Sequence, residues 1–312
     1  MICLGIESTA HTFGVGVVSG QKVLSNVKDS YTTESGGIVP QEAAHHHLEV
    51  CGEVVRAALE KAGVSSGEVD AVAFSQGPGL GHCLRVGAMA ARSLSLSLGK
   101  PLIGVNHCIA HLEIGKRETG LTDPMLLYVS GGNTQVIALD AGRYRIFGET
   151  LDIGLGFPGG PKIAQLASAG KDYVELPYVV KGMDLSFGGI LTNVRRKADT
   201  KKHSVEDLCF SLQETVFAMC VEVAERAMAH CGKSELVLGG GVACNTRLQE
   251  MCRLMCADRS AEVRWPAAEF LVDNGAMIAH LGLVMHRAGL STPLEESGIL
   301  PYQRTDEVDV TW

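Results

Sequence analysis

Two histidines with a spacing typical of metal ligands stand at the start of a predicted helix. An apolar segment, residues 100–105, ends just before them, and His111 follows His107 by four residues. Side chains at positions i and i+4 lie on one face of a helix, so both imidazoles can reach one ion. The zinc-protease pattern H-E-x-x-H has a glutamate general base where this sequence has Cys108. The pair therefore makes a metal site one interpretation and argues against peptide hydrolysis, but such pairs are also common by chance, so the rest of the chain must decide.

The composition is that of a globular protein with two domains. The chain has 312 residues, of which 46% are hydrophobic and 20% charged, and this length exceeds that of a usual single domain. No apolar stretch approaches the 18 or more residues of a membrane helix, and the N-terminus has no basic region of the kind found in signal peptides. We therefore expect a cytoplasmic protein without membrane contact.

The cysteines argue against disulfide bonds, and the net charge argues against unaided binding of nucleic acid. The ten cysteines are scattered and form no C-x-x-C pair, so we expect them to be reduced and mostly structural. The formal charge is −8, whereas a protein that binds nucleic acid unaided usually has a basic surplus. A local patch around residues 195–197 and 201–202 is possible. If the substrate is RNA, much of the affinity should come from another chain.

The two halves of the sequence repeat one order of elements. Each opens with an apolar run, a polar turn and a second apolar run, and the turns are Glu7–His11 and Ser130–Thr134. Such hairpin turns expose backbone N–H groups that suit phosphate. Each half later has an apolar strand that enters glycines before a helix, at residues 69–81 and 235–241. A helix N-terminus after a glycine turn also favours an anion.

This repeated order resembles the duplicated ribonuclease-H-like architecture of the actin, sugar-kinase and chaperone superfamily. The resemblance implies an α/β fold of two domains with a nucleotide in the cleft between them. The apolar pattern is interrupted at residues 119–124, and glycine and proline mark such breaks. We therefore predict domains at residues 1–122 and 123–312.

Eight motifs in order make the resemblance more specific. They are GIESTAHT from Gly5, SQGPGLG from Ser75, NHCIAH from Asn106, YVSGGNTQ from Tyr128, GFPGGPK from Gly156, LPYVVKGMDLSF from Leu176, GGGVACN from Gly239 and DNGAMIA from Asp273. Together they resemble the threonylcarbamoyl-transferase family, and within it the archaeal branch, the catalytic subunit of the KEOPS complex. The resemblance runs along the whole chain.

The resemblance implies an acyl transfer. Members of this family move the threonylcarbamoyl group from threonylcarbamoyl-adenylate to N6 of the adenosine beside the tRNA anticodon. This reaction needs a Lewis acid for the carbamoyl carbonyl and a cradle for the adenylate leaving group. The implied partners are tRNA, a kinase-like ATPase subunit and further small KEOPS subunits.

The family's metal ligands correspond to His107, His111 and Asp273, with Tyr128 as a fourth ligand in the archaeal branch. Two histidines and a carboxylate suit either iron or zinc. Asp273 also stands where a helix N-cap is expected, and both roles are compatible with one carboxylate.

The resemblance also carries over the nucleotide contacts. An adenine nucleotide or threonylcarbamoyl-adenylate is expected at a set of small and polar residues: Tyr128, Val129, Ser130, Gly131, Gly132, Gly160 and Asn245. Glycine lets the backbone approach a phosphate closely, and asparagine offers both a donor and an acceptor. Lys162 is a candidate phosphate partner and equally a solvated lysine at a helix start.

Other histidines carry weaker indications. His45, His46 and His47 lie in a predicted helix, residues 40–62, where consecutive side chains point in different directions and cannot easily share one ion. Glu7 and His11, in the first polar turn, are candidates for lining the cleft.

The sequence departs from the family at one place. Members have a further helical stretch after the GETLD motif, with an aspartate that contacts the nucleotide ribose. Here Asp152 is followed at once by residues 153–156, IGLG. One interpretation is a true deletion that weakens nucleotide binding. The other, which we favour because the remaining motifs are intact, is that residues are missing from the sequence as given.

Two other functions are compatible with the fold. A small-molecule kinase of the same superfamily would share the phosphate turns but would not need both helix histidines. A nucleotide-dependent scaffold would bind nucleotide without modifying adenosine. The older description of the family as glycoproteases is disfavoured by the absence of the general-base glutamate.

Overall fold

The computed structural model describes residues 1–20, 22–33, 37–130, 133–140, 142–151 and 159–312. The first half contains β1 (Ile2–Glu7), β2 (Thr12–Ser19), β3 (Lys22–Ser30), α1 (Pro40–Ala62), β4 (Ala71–Gly77), α2 (Gly81–Leu98), β5 (Leu102–Asn106) and α3 (His107–Thr119). The second half contains β6 (Met125–Val129), β7 (Asn133–Asp140), β8 (Arg143–Leu151), α4 (Gly159–Ala167), β9 (Val180–Lys181), β10 (Asp184–Leu185), α5 (Ile190–Asp199), α6 (Val205–Cys231), β11 (Glu235–Gly239), α7 (Thr246–Asp258), β12 (Glu262–Arg264), α8 (Ala268–Leu271) and α9 (Gly275–Arg287).

Two five-stranded sheets have the same connectivity. The first has the order β3-β2-β1-β4-β5 and the second the order β12-β11-β6-β7-β8. In each sheet three consecutive strands pair antiparallel, and two later strands add in parallel beside the first of them. The predicted duplication of a hairpin followed by a strand, a glycine turn and a helix is therefore confirmed. The α/β fold class that it implied is confirmed as well.

Helices cover the sheets in layers. Helices α1 and α2 bury their apolar sides against the first sheet, around Phe13 and Phe74. Helices α6 and α7 cover the second sheet, around Leu127 and Leu238. Helices α3 and α9 belong to a third cluster that also includes Ile103 of the first sheet and strands of the second. The two halves therefore meet through α3 and α9.

Helix α9 lies directly on the backbone of the first sheet. A Cβ atom placed on Gly5 would lie 2.1 Å from the nitrogen of Ala279, and one on Gly16 would lie 2.3 Å from the nitrogen of Ala276. A Cβ atom placed on Gly275, the first residue of α9, would lie 2.2 Å from the nitrogen of Gly16. Only glycine permits this approach. The contact fixes the height of α9, and of the residues just before it, above the sheet.

The predicted domain boundary divides the strands but not the helices. All strands of the first sheet fall in residues 1–122, and all strands of the second fall in residues 123–312. Helix α9, which comes from the second range, contacts β1, β2 and β4. The boundary at residues 122 and 123 stays a prediction. In the described part of the chain, no helix combines the length and the hydropathy needed to cross a bilayer.

Candidate metal centre and nucleotide cavity

The two predicted histidines begin a buried helix. Strand β5 ends at Asn106, whose side-chain oxygen accepts hydrogen bonds from the nitrogens of Cys108 and Ile109, at 3.0 and 3.2 Å. This N-cap starts α3 at His107. Both His107 and His111 are buried, with 4% and 2% of their surface exposed. The local sequence thus starts the helix at His107, and the packing of α3 buries both imidazoles.

Asp273 joins these two histidines from the second half of the chain. Its Oδ1 lies 3.4 Å from Nε2 of His107 and 3.3 Å from Nε2 of His111. One ligand atom from each of the three residues lies within 4.8 Å of the others, and in the described part of the chain no other histidine, cysteine or acidic residues form such a group. The structure therefore brings together the three residues that the sequence singled out.

The spacing of these atoms fits a metal ion. Two ligands at about 2.1 Å from one tetrahedral ion are about 3.4 Å apart, and both nitrogens lie at that distance from the Asp273 oxygen. Two imidazoles aimed at a single carboxylate oxygen are also an unusual hydrogen-bonding arrangement. Nδ1 of His111 is buried without a hydrogen-bond partner. The donor set of two nitrogens and one oxygen is thus suited to a divalent transition metal.

Tyr128 lies beside the metal group. It lies in β6, is 4% exposed, and its hydroxyl is 3.2 Å from Nε2 of His107. Burial raises the pKa of the Tyr128 hydroxyl, which favours the neutral phenol when no ion is bound. The hydroxyl therefore borders the metal group beside His107.

Glu7 lies behind His107. It ends β1 and is fully buried, and its Oε2 accepts a hydrogen bond from Nδ1 of His107 at 3.0 Å. Its Oε1 accepts from the nitrogen and the hydroxyl of Thr9, at 2.6 and 2.5 Å. Both carboxylate oxygens thus accept hydrogen bonds. This contact orients the His107 ring so that its Nε2 faces Asp273.

Electrostatics favour ligand-competent forms of two of these residues. Burial lowers the pKa of His111, although the hydrogen bond that it donates to Asp273 opposes this shift. Burial would raise the pKa of Asp273, but hydrogen bonds and charge from His107 and His111 hold it well below its usual range. Burial would lower the pKa of His107, but the charge of Glu7 and contacts with Asp273 raise it well above its usual range. Asp273 is therefore ionised and His111 neutral.

The glycine turn after β11 packs against the end of β6, next to Tyr128. Gly240 has φ of +90°, and a Cβ there would lie 2.2 Å from the carbonyl oxygen of Val129. The preceding residue, Gly239, pairs with Tyr128 in the sheet. Ser130 follows β6, and its hydroxyl donates to the carbonyl oxygen of Asn133 at 2.9 Å. Gly131 and Gly132 lie outside the described residues.

Asn245 borders an open cavity of about 500 Å³. Its side-chain oxygen accepts from the nitrogens of Arg247 and Leu248 and so caps α7, while its amide donates to Gln213 at 2.9 Å. The cavity walls come from α4, the loop after it, α6 and the start of α7: Ala164, Ala167, Ser168, Gly170, Phe210, Gln213, Glu214, Cys244, Asn245, Thr246 and Arg247. The prediction that Asn245 contacts nucleotide stays a prediction.

Two further predicted residues are on α4 but not in that wall. Gly160 and Lys162 lie in the first turn of α4 and are exposed. Helix α4 contributes Ala164 and Ala167, further along, to the cavity. The interpretation of the short connection after Asp152 falls on residues 152–158, which are outside the described part of the chain.

Several residues at the site had no signal in the sequence. Burial lowers the pKa of Lys28, in β3, although the residue is close enough to Asp273 for the charge of that carboxylate to oppose the shift. Glu214 holds Arg247 through two hydrogen bonds of 2.8 and 2.7 Å at the cavity wall. These residues lie in the middle of ordinary strand and helix patterns. Only their tertiary neighbours distinguish them.

The histidines of the triplet lie on α1, where His46 and His47 contact each other through their Nδ1 atoms at 3.3 Å. His47 is buried and contacts the carbonyl oxygen of Ala10 at 3.1 Å, while His46 contacts Asp29 at 3.0 Å. His45 faces Glu49 on the surface of α1. His11 is largely buried, which lowers its pKa, and it lies near enough to Asp273 and Glu7 for their charges to oppose that shift. His11 is thus close to the metal group, whereas the triplet is not arranged around one point.

Comparison with known proteins identifies relatives that are more than half identical to this chain. A family model described as tRNA N6-adenosine threonylcarbamoyltransferase matches residues 22–280. A protein of that name from Thermococcus kodakarensis is 56% identical, with all of both chains covered, over an alignment of 325 positions. This alignment is longer than the 312 residues of the chain, so the relative has residues that this chain lacks. A "probable bifunctional tRNA threonylcarbamoyladenosine biosynthesis protein" from Methanosarcina acetivorans is 52% identical over 99% of this chain and 59% of its own length.

Solved structures of more distant proteins share the fold. HypF from T. kodakarensis superposes with a TM-score of 0.67 at 14% identity, covering 96% of this chain and 49% of HypF. An ROK hexokinase from Thermus thermophilus superposes with a TM-score of 0.52 at 18% identity, covering 92% of this chain and all of the hexokinase. These likenesses show the architecture alone. They agree with the sugar-kinase type of fold that the repeated element order predicted.

Proposed function

Because this chain belongs to the tRNA N6-adenosine threonylcarbamoyltransferase family, we propose that it transfers a threonylcarbamoyl group from threonylcarbamoyl-adenylate to N6 of the adenosine next to the tRNA anticodon. The observation that carries this proposal is the meeting of His107, His111 and Asp273 at one point between the two sheets. Acyl transfer to an amine needs stabilisation of negative charge on the carbonyl oxygen.

We propose that one divalent ion, iron or zinc, is held by His107, His111 and Asp273, with Tyr128 as a fourth ligand. When bound, the ion would polarise the carbamoyl carbonyl and stabilise the oxyanion that develops on it. The protonation states of two of these residues suit a metal ion. Asp273 is ionised and His111 neutral, and a carboxylate and a neutral imidazole are the forms that bind metals.

The carboxylate of Glu7 keeps a proton on Nδ1 of His107. Its Oε2 lies 3.0 Å from this nitrogen, so Nε2 is the ring atom that faces Asp273 and Tyr128. A carboxylate behind a ligating histidine fixes the tautomer and the ring orientation.

The cleft between the halves is the proposed site of the adenylate. The turn at residues 130–132, which lies partly outside the described residues, would hold phosphate, and the cavity beside Asn245 would hold the ribose or the base. The contact of Gly240 with Val129 supports this proposal, because it packs the segment that leads to Asn245 against the strand end that precedes the turn. A leaving group held there would be within reach of the metal group. Gly160 and Lys162, on α4, would lie at the margin of this site.

The proposed partners are tRNA, a kinase-like ATPase subunit and small KEOPS subunits. The formal charge of −8 opposes approach of a polyanion at long range. Partner chains with basic surfaces would overcome this repulsion. We therefore propose that the chain works as the catalytic part of an assembly.

The test supplies the purified chain with threonylcarbamoyl-adenylate and tRNA, with and without the partner subunits. We expect modified adenosine by mass spectrometry of the digested tRNA when partners are present, and little from the chain alone. A scaffold or a small-molecule kinase would yield no modified adenosine in either case, and that result would overturn the proposed function. Full transfer by the isolated chain would contradict only the need for partners.

The role of Glu7 leads to a second prediction. In Glu7→Gln one end of the side chain becomes a donor, so it must lose a hydrogen bond from either Thr9 or His107. We expect metal affinity to fall by about 10–100-fold, measured by competition with a chromogenic chelator. The expected cause is poorer orientation of His107.

Glu113→Gln is the matched control for this substitution. Glu113 is a buried glutamate of α3, 8% exposed, that accepts hydrogen bonds from Tyr144 and Lys116 away from the metal group. Its replacement should leave metal affinity unchanged. Unaltered affinity in Glu7→Gln, or an equal loss in both variants, would contradict the assignment.

A further inference from the structure

Six cations form an exposed strip on the second half of the chain. We call this strip the basic rim, and it consists of Lys171, Arg195, Arg196, Lys197, Lys201 and Lys202. All are exposed except Lys197, which is half-buried. Within the described residues, none of the six forms an ion pair, whereas Arg226, Arg247 and Arg259, also in the second half of the chain, are each paired with a glutamate. The rim is therefore a cluster of positive charges that no carboxylate of the described residues pairs with.

The rim begins at the edge of the nucleotide cavity. Gly170 lines the cavity, and Lys171 follows it directly. The backbone nitrogens of Lys171 and Asp172 both donate to the carboxylate of Asp207, at 2.8 and 3.0 Å. Asp207 lies in the first turn of α6. The loop that carries Lys171 is thus fastened to the N-terminus of α6.

The rest of the rim approaches the same end of α6. Arg195, Arg196 and Lys197 lie in the second half of α5, and Lys201 and Lys202 lie in the turn that leads to the cap of α6 at Ser204. Gln213, in the cavity wall, comes eight residues after the start of α6, a distance of about 12 Å along the helix. The rim and the cavity therefore lie side by side.

The charge of this surface contrasts with that of the whole chain. Residues 195–202 contain five cations and one carboxylate, Asp199, in a protein whose formal charge is −8. The carboxylate of Asp207 is occupied by the hydroxyl of Ser204 and by the two backbone nitrogens. Cations in the last turn of a helix are favoured by its dipole, but this accounts only for the end of α5. It does not account for Lys171, which lies on another segment.

We propose that the basic rim binds phosphates of the tRNA strand next to the target adenosine. The proposal rests on the proposed function, which makes tRNA the substrate of the adjacent cleft. Lysine and arginine side chains that neutralise phosphates supply much of the affinity of a protein for RNA, and they fix its position on the strand. A rim beside the cavity would hold the anticodon stem while the adenosine enters the cleft.

The test uses the full-length chain with Arg195→Gln, Arg196→Gln and Lys201→Gln combined. Filter binding of tRNA is measured from about 20 to 200 mM salt, because electrostatic binding is strongest at low salt. We expect an affinity at least tenfold lower than that of the wild type at 50 mM salt. The slope of log affinity against log salt should become shallower by about 2–3.

The control carries the same loss of charge elsewhere. Lys22→Gln, Lys61→Gln and Arg85→Gln combined remove three exposed cations from the first half of the chain. This variant should bind tRNA within threefold of the wild type, and both variants should keep the wild-type melting temperature and metal affinity. Equal losses in the two variants would assign the effect to overall charge and overturn the proposal.

The remaining outcomes separate this proposal from the proposed function. Wild-type affinity and slope in the rim variant, while the wild type with its partners modifies tRNA, would overturn the rim alone. Absence of tRNA binding by the wild-type chain even at 20 mM salt would also overturn it, since a phosphate-binding surface acts most strongly there. Absence of modified adenosine with all partners present would overturn the proposed function, whatever the binding data show.

Discussion

Replacing His111 with alanine is expected to remove nearly all bound metal from the protein and to abolish threonylcarbamoyl transfer. His111 supplies one of the three atoms that meet at the metal group, through its Nε2, 3.3 Å from Asp273. Loss of a residue behind a ligand costs about 10–100-fold in affinity, so loss of the ligand itself should cost more than about 100-fold. Elemental analysis after mild purification should find about one ion per wild-type chain and almost none in His111→Ala.

His280→Ala provides the comparison for this prediction. His280 is another buried histidine, in α9, with 7% of its surface exposed, and burial lowers its pKa to about 4. It lies near Arg117 and Glu113 rather than the metal group. Its replacement should cost some stability but keep the full metal content. Retention of metal in His111→Ala would show that the ion is held by other residues.

Gly16→Ala is expected to lower stability severely, although it adds only a methyl group. The new Cβ would lie 2.3 Å from the nitrogen and 2.5 Å from the Cα of Ala276 in α9. Both are backbone atoms that cannot rotate away, so the helix must lift from the sheet. We expect a loss of about 3 kcal/mol in the free energy of unfolding, and a fall of roughly 5–10 °C in melting temperature. Metal affinity should fall too, because Asp273 precedes α9 by only two residues.

The same substitution at Gly52 tests whether this loss is steric. Gly52 lies in the middle of α1 with no atom within 4 Å of an added Cβ. Gly52→Ala should stabilise the protein by about 0.5–1 kcal/mol, because alanine favours the helix more than glycine does. Differential scanning fluorimetry of both variants is sufficient. A Gly16→Ala protein as stable as the wild type would mean that α9 does not rest on the sheet backbone as described.

Local patterns in the sequence predicted the elements and the first two residues of the metal group. The spacing of His107 and His111 places both on one face of any helix that contains them. Asn106 is a preferred N-cap, so the start of that helix is also a local property. The repeated order of hairpin, strand, glycine turn and helix likewise depends on neighbours along the chain. For this reason it predicted the duplicated fold without tertiary information.

The third residue of the group depended on contacts that no local pattern contains. Asp273 is 162 residues from His111, and its position in the sequence indicates only a helix start. It was identified through the family resemblance and not through spacing. In the structure, Gly5, Gly16 and Gly275 let α9 lie on the backbone of the first sheet, and this contact brings Asp273 to the histidines.

Tertiary structure alone decided the roles of Glu7, Lys28 and the cavity wall. The sequence placed Glu7 in a polar turn and suggested that it lines the cleft, whereas the structure buries it completely against His107. Lys28 and Glu214 stand in ordinary strand and helix patterns, and their importance comes from the elements that face them. A side chain's burial and its partners are set by how distant segments pack. Sequence determined which segments fold into which elements, and only the packing of α3, α9 and the two sheets determined which side chains meet.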